Sequence, residues 1–295
     1  MPRLAAFVST PVLTALFVPL WSTGFVTARL VAPHAEPLTF LFLRFVVAGL
    51  LLAAVAVLLR RPWPSTWRDA GQAMAAGVMI HGLYLGCVFF SVARGLPSGI
   101  SALVAGLQPL LTGFLAGPLL GEPVSGRRWA GIALGAAGAG LTLAPRLGQL
   151  GDGGIPLGAL GICSIGMIAM TFGTIFQKRS GRSADLLSNT ALQYAGAIVP
   201  VGLGALVLEQ GHFDIAAPAA WIGLTWSILG MSIGAILLLM VLIRRGAVAQ
   251  VASLLYLVPG VSALMAYGLF GETLTVVQIG GLAVAALGVA LASRG

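Results

Sequence analysis

Two polar side chains within one long apolar stretch are the strongest candidates for chemistry. His81 is the one histidine in such a stretch, and imidazole ordinarily changes its charge near neutral pH. Tyr84 follows about one helical turn later, so both side chains would lie on one face of a helix. The pair predicts a polar site that binds a small molecule. The alternative is structural, with a neutral histidine hydrogen-bonded to a neighbouring helix.

Arg44 lies inside another apolar stretch, about seven residues from its start. A planar guanidinium can hold a carboxylate through two parallel hydrogen bonds, which makes Arg44 a candidate clamp for an acidic group of a substrate. Two structural alternatives stay open. The long side chain could extend to the membrane boundary, or it could bond helix carbonyls.

The remaining candidates are polar, aromatic or thioether side chains at similar depth. Any one of them more often makes a helix–helix hydrogen bond than a ligand contact. As a set they suit a cavity that hydrogen-bonds an amino-acid backbone and stacks an apolar side chain. The predicted substrate site combines Trp21, Arg44, His81, Tyr84, Gln108, Met231, Ser253 and Tyr256.

Two prolines are predicted to lie in the middle of apolar helices. Pro109 and Pro259 would each remove a backbone hydrogen bond and bend the helix at that point. The functional interpretation is a hinge for gating, and the structural one is a static kink.

The motifs of enzymes and ATP-driven pumps are missing. The sequence contains no Walker-type loop, no nucleophile–base pair and no metal-ligand cluster, and Cys87 and Cys163 have no metal-binding spacing. We therefore predict no catalytic residues, no cofactor and no metal. Glu122 and Glu272 each follow a glycine at a helix end, where capping the next helix is favoured over proton coupling.

Composition predicts an all-α membrane protein. Of 295 residues, 58% are hydrophobic and only 8% are charged, and the mean hydropathy is +1.01. A soluble domain carries about 25% charged residues. The apolar runs are continuous and near the ~20 residues that a helix needs to cross a bilayer. The ten predicted segments are 12–30, 37–59, 70–93, 97–120, 126–144, 154–177, 183–208, 216–243, 247–270 and 274–293.

The net charge of +8 is explained by where the cations lie relative to the predicted membrane segments. If the N-terminus is cytoplasmic, the inside connections and termini hold twelve of the 16 cations, while the outside loops hold three. Positive residues accumulate on the cytoplasmic side, so we predict that both termini are cytoplasmic. The predicted partners are the lipid bilayer and a small-molecule substrate, and not nucleic acid.

A duplication organises the chain. Residues 109–141 and 259–291 share ten identities in 33 positions without a gap. The predicted domains are a first repeat at 1–146, a linker at 147–153 and a second repeat at 154–295. Each repeat has five segments, an odd number, so the second copy would enter the membrane in the opposite direction. Ten helices in two five-helix inverted-topology repeats around a central cavity are typical of secondary transporters.

These features resemble the EamA type of the drug/metabolite transporter superfamily. The resemblance rests on the doubled run of a proline, a Gly-Glu pair and a Gly/Ala-rich helix, together with Pro19-Leu-Trp-Ser22 and Leu43-Arg44. It implies a carrier in the bacterial inner membrane, and general similarity points to exporters of amino acids, including aromatic ones. The first alternative is a multidrug exporter, and the second is a membrane enzyme or lipid-handling protein. Small residues on the fifth and tenth helices favour close packing within a monomer over dimerisation.

Overall fold

The computed structural model describes residues 10–108, 110–112, 114–115, 125–147, 155–180, 185–244 and 258–293. The predicted positions Pro109, Glu122, Ser253 and Tyr256 lie outside these residues, as does most of the predicted linker. Within the described part, each predicted segment contains a helix, and the β-pairing recorded there is an isolated bridge between Ala35 and Phe213.

We number the helices α1 to α10 in chain order. Two of them, α3 and α8, change from α-helix to π-helix in their middle and back again. Their bounds are α1 Thr10–Val31, α2 Pro37–Leu58, α3 Trp67–Gly77 with Val78–Leu83 (π) and Tyr84–Ala93, α4 Ser98–Gly106, α5 Gly126–Leu147, α6 Leu157–Ser180, α7 Leu186–Leu208, α8 Pro218–Thr225 with Trp226–Gly234 (π) and Ala235–Arg244, α9 Val258–Phe270 and α10 Val276–Ser293.

Among the residues that the structure describes, five helices are long and apolar enough to cross a membrane by length and composition. They are α2, α3, α7, most of α6 and residues Pro218–Leu239 of α8. The other five contain shorter apolar stretches, such as Ala15–Val31 in α1 and Val276–Gly288 in α10. The count of ten crossings therefore stays a prediction.

The chain divides into two compact units, and each unit takes helices from both halves of the sequence. The first unit comprises Met1–Val26, Pro97–Ile155 and Gly234–Gly295, and within it α5 packs on α10 and α4 packs on α9. The second unit comprises Thr27–Leu96 and Pro156–Ile233, and within it α2 packs on α7, while α3 packs on α6 and α7.

In the first unit, glycines allow α5 and α10 to touch through their backbones. A Cβ atom added to Gly138 would overlap the backbone nitrogen of Ala285, and one added to Gly288 would overlap that of Gly135. Small residues permit this approach, which replaces the hydrophobic driving force that is missing in lipid. The predicted close packing of these small residues within one chain is observed, and the preference for a monomer over a dimer stays a prediction.

In the second unit, α3 and α7 make a similar contact. A Cβ atom on Gly77 would overlap the carbonyl oxygen of Gln193, and one on Gly196 would overlap the carbonyl oxygen of Met74. The two backbones therefore meet without intervening side chains. This crossing sets the spacing of every polar side chain that α3 and α7 carry nearby.

Helices α2 and α7 are fixed to each other at both ends. At one end, the carboxylate of Glu209 accepts hydrogen bonds from the backbone N–H of Leu38 and of Thr39, at 2.8 and 2.7 Å. The first N–H groups of a helix have no partner within the helix itself, and Glu209 supplies one. The helix dipole also favours a negative charge at this end of α2. At the other end, Arg61 pairs with Asp185 at 3.7 Å.

A second carboxylate connects the start of α2 with the segment that follows α7. Glu36 accepts hydrogen bonds from the backbone N–H of His212 at 2.7 Å and of Gln210 at 3.0 Å. The bond from His212, followed by the weaker contribution from Gln210, holds the pKa of Glu36 below its ordinary value of 4.5. Hydrogen bonds to the charged form are the physical cause.

We expect Gly77→Ala to lower the free energy of unfolding by at least about 1–3 kcal/mol, because the new methyl group must push two backbones apart. Gly71→Ala is the matched control on the same helix, since its Cβ would meet nothing within 4 Å. Alanine favours a helix over glycine by about 1 kcal/mol, so this variant should be at least as stable as the parent. Thermal unfolding in detergent measures both, and equal stability of the two variants would contradict the backbone crossing.

We expect acid to weaken the contact between these loops through Glu36. Its pKa is lower in the folded protein than in the unfolded chain, so the charged form stabilises the fold above the unfolded value, and this contribution is lost as the pH falls through the folded value. Thermal unfolding between pH 7 and pH 3 should therefore show a smaller loss of stability for Glu36→Gln than for the parent. Parallel pH profiles would contradict this role.

A buried arginine–histidine cluster as the candidate functional site

Arg44 is buried in the second unit with a side chain that is only 3% exposed. Its Nε atom donates to the hydroxyl of Ser232 on α8 at 3.2 Å, and the guanidinium also interacts with the side chain of Tyr194 on α7. Its Nη1 atom is buried and has no hydrogen-bond partner among the residues that the structure describes. A charged group in such surroundings is costly unless something completes its hydrogen bonds.

His81 faces the same group of residues from α3. Its Nε2 atom lies 3.0 Å from Oε1 of Gln193 on α7. An amide oxygen only accepts, so Nε2 carries the proton in this arrangement and Nδ1 is left as an acceptor. The alternative of a histidine bonded to a neighbouring helix is therefore observed. A role in binding substrate stays a prediction.

Aromatic rings frame these polar groups. Tyr194 meets the imidazole of His81 edge-on, with ring centroids 4.9 Å apart, and stacks on Phe45 at 5.2 Å. Phe45 is fully buried, and its ring lies 5.8 Å from the guanidinium carbon of Arg44. We refer to Arg44, Phe45, His81, Gln193, Tyr194 and Ser232 as the arginine–histidine cluster.

The cluster carries a positive charge without an acid. The sequence contains eight Asp and Glu residues, and the six that the structure describes lie between helices or in a first helical turn. None of these six carboxylates belongs to the cluster around Arg44. A small anionic group with room to reach Nη1 would gain a charge-assisted hydrogen bond there.

Both π-helical segments contribute to this cluster. Val78–Leu83 contains His81, and Trp226–Gly234 contains Met231 and Ser232. Shifted by the repeat offset of 150 residues, the first segment falls inside the second. Short π-helical turns are rare and occur frequently at functional sites. The two π-helical segments lie at equivalent positions of the two repeats, which supports the arginine–histidine cluster as the candidate functional site.

Two other predicted site residues lie in the second unit but have different neighbours. Tyr84 is buried against α6, where it interacts with Cys163 and where Gly166 approaches its backbone. Met231 is partly buried and directly precedes Ser232. Although Tyr84 and His81 lie on the same helix, Tyr84 packs on α6, while His81 contacts α7.

Trp21 and Gln108 belong to the first unit. Trp21 packs with Phe17, at 5.3 Å between ring centroids, and with Leu242. Gln108 donates from Nε2 to the hydroxyl of Thr112 at 2.8 Å, one turn along its own helix. That these two residues line one cavity with Arg44 and His81 stays a prediction.

Pro259 is the second residue of the described part of α9 and is buried. Its ring packs against Gly106 on α4, where an added Cβ would lie 2.7 Å from Cγ of the proline. The hinge interpretation of Pro259 stays a prediction, and its counterpart Pro109 lies outside the described residues.

Glu272 contacts the start of another helix. Its carboxylate accepts from the hydroxyl of Ser98 at 3.1 Å, at the start of α4. The predicted capping of the next helix by Glu272 stays a prediction. The next helix, α10, is capped by Thr275. The hydroxyl of Thr275 accepts from the backbone N–H of Gln278 at 3.2 Å, while Oε1 of Gln278 accepts from the backbone N–H of Thr275 at 2.9 Å. This reciprocal pair is a capping box.

A cleft of about 610 Å³ lies between α9 and α10 in the first unit. Its walls are largely apolar, with Tyr267 and Thr273 as the polar members, and no predicted site residue lines it. Because it offers no charge and few hydrogen-bonding groups, we place the candidate site at the arginine–histidine cluster instead.

Comparison with known proteins identifies the family. The EamA-like transporter family matches residues 9–144 and again residues 157–294. The chain belongs to this family. The resemblance inferred from the doubled motif is thereby confirmed, and the predicted domain bounds stay a prediction. Membership makes the chain a membrane transporter of a small molecule rather than an enzyme.

Similar proteins carry the names of transporters. The chain is 29% identical over 283 residues to the uncharacterized inner membrane transporter YedA of Escherichia coli (strain K12), covering 96% of this chain and 90% of the relative. It is 25% identical over 281 residues to the uncharacterized transporter YvbV of Bacillus subtilis (strain 168), covering 92% and 88%. A probable amino-acid metabolite efflux pump of Salmonella typhimurium is 26% identical over 283 residues, covering 91% and 89%.

The fold also matches a solved crystal structure. The superposition has a TM-score of 0.66, covers 96% of both chains and pairs residues that are 21% identical. At this level of identity, the match supports the fold alone.

The predicted substrate site omitted four members of the cluster, which are Phe45, Gln193, Tyr194 and Ser232. Phe45 directly follows Arg44, but nothing in an apolar run distinguishes one phenylalanine from another. Ser232 could have been found by asking which hydroxyl lies one residue from Met231, the repeat counterpart of His81. The signal was present, but serine hydroxyls in membrane helices commonly bond their own helix, as that of Ser22 does with Val18 at 2.8 Å.

We expect Arg44→Met to leave the free energy of unfolding unchanged or to raise it by up to a few kcal/mol, since it removes a buried charge that no acid among the described residues compensates. Arg61→Met is the comparison, because Arg61 pairs with Asp185. Its loss should lower stability by about 0.2–1 kcal/mol. Unfolding in detergent without substrate measures both. A marked destabilisation by Arg44→Met would identify Arg44 as a structural residue.

Proposed function

We propose that this protein is a secondary transporter that exports amino acids, including apolar and aromatic ones, by alternating access. The observation that carries the proposal is the buried Nη1 atom of Arg44, a cationic donor with no partner in the described part of the chain. A substrate carboxylate would complete its hydrogen bonds. Because the guanidinium already donates from Nε to Ser232, its plane is held in place before the substrate arrives.

The position of His81 supports the proposal that the substrate also carries an ammonium group. With Nε2 donating to Gln193, the free Nδ1 atom of His81 is an acceptor in the same cluster. An amino acid brings both a carboxylate for Arg44 and an ammonium donor for His81. The rings of Phe45 and Tyr194 supply aromatic surface for an apolar side chain.

Charge argues against the competing multidrug exporter of cationic compounds. A cationic drug would require a carboxylate at the site, yet the only charge in the cluster is that of Arg44. Placing a second cation beside it in a medium of low dielectric constant would be strongly unfavourable. The name of the Salmonella relative, a probable amino-acid metabolite efflux pump, agrees with the amino-acid proposal.

The proposed architecture is ten membrane-spanning helices in two inverted repeats. The two family matches and the two π-helical segments at equivalent positions support a duplication at the level of structure. So do the pairs α2 with α7, α4 with α9 and α5 with α10, each of which joins corresponding helices of the two repeats. The cation distribution supports cytoplasmic termini, and the relative in Escherichia coli supports the inner membrane.

The test is substrate flux in proteoliposomes. The panel contains aromatic and apolar amino acids, the corresponding amines without the carboxylate, the corresponding acids without the ammonium group, and a lipophilic cation. We expect transport of amino acids and not of the amines or the cation. Arg44→Gln should raise the KM for amino acids by about ten- to 100-fold, the value of a hydrogen bond to a charged group.

The control is Arg94→Gln, at the far end of α3. Arg94 is exposed and lies over the ring of Phe90, so its loss should leave flux unchanged. Transport of the amines with the same KM as the amino acids would overturn the carboxylate clamp. Transport of the cation alone would favour the multidrug alternative.

A further inference from the structure

The connection between α2 and α3 exposes an unusual combination of side chains. Trp67 is 94% exposed and Trp63 is 40% exposed, while Arg60 and Arg68 are both exposed. We call these four residues the arginine–tryptophan patch. They lie where α2 ends and α3 begins, so in a membrane-embedded chain they share one boundary of the bilayer.

Neither arginine of the patch is used within the described part of the protein. Arg60 and Arg68 form no ion pair with any residue there. The nearby acids are engaged elsewhere, because Asp185 pairs with Arg61 and Asp69 accepts from the hydroxyl of Thr66 at 2.7 Å. Two cations are thus free to meet a negative group that lies outside the chain.

The backbone at Arg60 strengthens this observation. Arg60 has a φ of +50°, and the backbone N–H groups of Arg60 and Arg61 bond the carbonyls of Val57 and Ala56. This arrangement ends many helices, and the residue in the left-handed conformation is usually glycine. An arginine at this position strains the backbone, so folding alone does not explain it.

The tryptophans indicate what the patch contacts. An indole exposed at a helix end of a membrane protein is suited to the interfacial region, where its ring lies among headgroups and its N–H finds an acceptor. Arginine matches the geometry of phosphate through paired donors and is less strongly hydrated than lysine. Together they fit a phosphodiester flanked by glycerol and acyl chains.

We propose that the arginine–tryptophan patch is a binding site for the headgroup of an anionic phospholipid. The two arginines bind the phosphate and the net negative charge, and the two indoles lie against the glycerol region. The site is separate from the arginine–histidine cluster and does not depend on which substrate is transported.

The test compares two lipids that differ only in headgroup charge. Native mass spectrometry of the purified protein would measure the binding of phosphatidylglycerol and of phosphatidylcholine with identical acyl chains. We expect tighter binding of phosphatidylglycerol. A basic side chain near an anionic surface contributes about five-fold in affinity, so Arg60→Gly and Arg68→Gln should each weaken phosphatidylglycerol binding by about that factor.

Arg60→Gly separates lipid binding from folding. Glycine adopts the left-handed conformation without strain, so this variant should unfold in detergent at the same temperature as the parent or a higher one. Arg94→Gln removes a charge at the other end of α3 and should bind phosphatidylglycerol as the parent does. Trp67→Ala should weaken the binding of both lipids, because the indole does not read headgroup charge.

Three results would overturn the proposal. The first is equal binding of the two lipids by the parent protein. The second is an equal loss of phosphatidylglycerol binding in Arg94→Gln, which would show a response to total charge rather than to this patch. The third is thermal stabilisation by inorganic phosphate as strong as that by phosphatidylglycerol, which would identify a free anion as the ligand.

Discussion

The backbone contact between α3 and α7 is the constraint on which the candidate site depends. Gly77 and Gly196 bring the two helices so close that no side chain separates them. His81 lies one turn beyond Gly77, and Gln193 and Tyr194 lie just before Gly196, so the crossing presses these polar side chains together. In lipid, where no water can satisfy a polar group, side chains held at this distance must bond one another. The hydrogen bond between His81 and Gln193 follows from the two glycines.

The charge of Arg44, unlike the other charged groups of the second unit discussed above, is buried between helices without an acidic partner among the described residues. The Glu209 carboxylate and the Arg61–Asp185 pair lie at helix ends, where each charged group has partners and access to the boundary. Arg44 is 3% exposed, and within the part of the chain that the structure describes it contacts hydroxyl and aromatic side chains. Such an arrangement does not minimise the free energy of the empty protein. A residue that costs stability in the absence of ligand is characteristic of a binding site.

Much of the fold could be predicted because lipid imposes simple rules on sequence. Apolar runs of bilayer length located the ten helices of the described residues. Which helices pair was not predicted from the 150-residue repeat and is seen only in the structure. The position of Arg44 and His81 inside apolar helices could also be predicted, since charged and titratable residues are rare in apolar runs. The π-helical segments were not predicted, because a one-residue change of helical register leaves no mark in an apolar sequence. Tyr84 was expected beside His81 on helical spacing, but a π-turn changes that spacing and Tyr84 packs on α6 instead.

The two repeats preserved their backbone geometry better than their side chains. Both π-helical segments lie at the same place in their repeats, yet the residues within them differ, with His81 opposite Met231 and Gly82 opposite Ser232 in the 150-residue alignment. Equivalent backbones allow two halves to exchange roles, which alternating access requires. An asymmetric ligand such as an amino acid has distinct ends and needs distinct partners for them. For the proposed amino-acid substrate, the divergence of these positions after duplication would meet that need. His81 of the first repeat would supply an acceptor, and Arg44, which is bonded to Ser232 of the second repeat, would supply a donor.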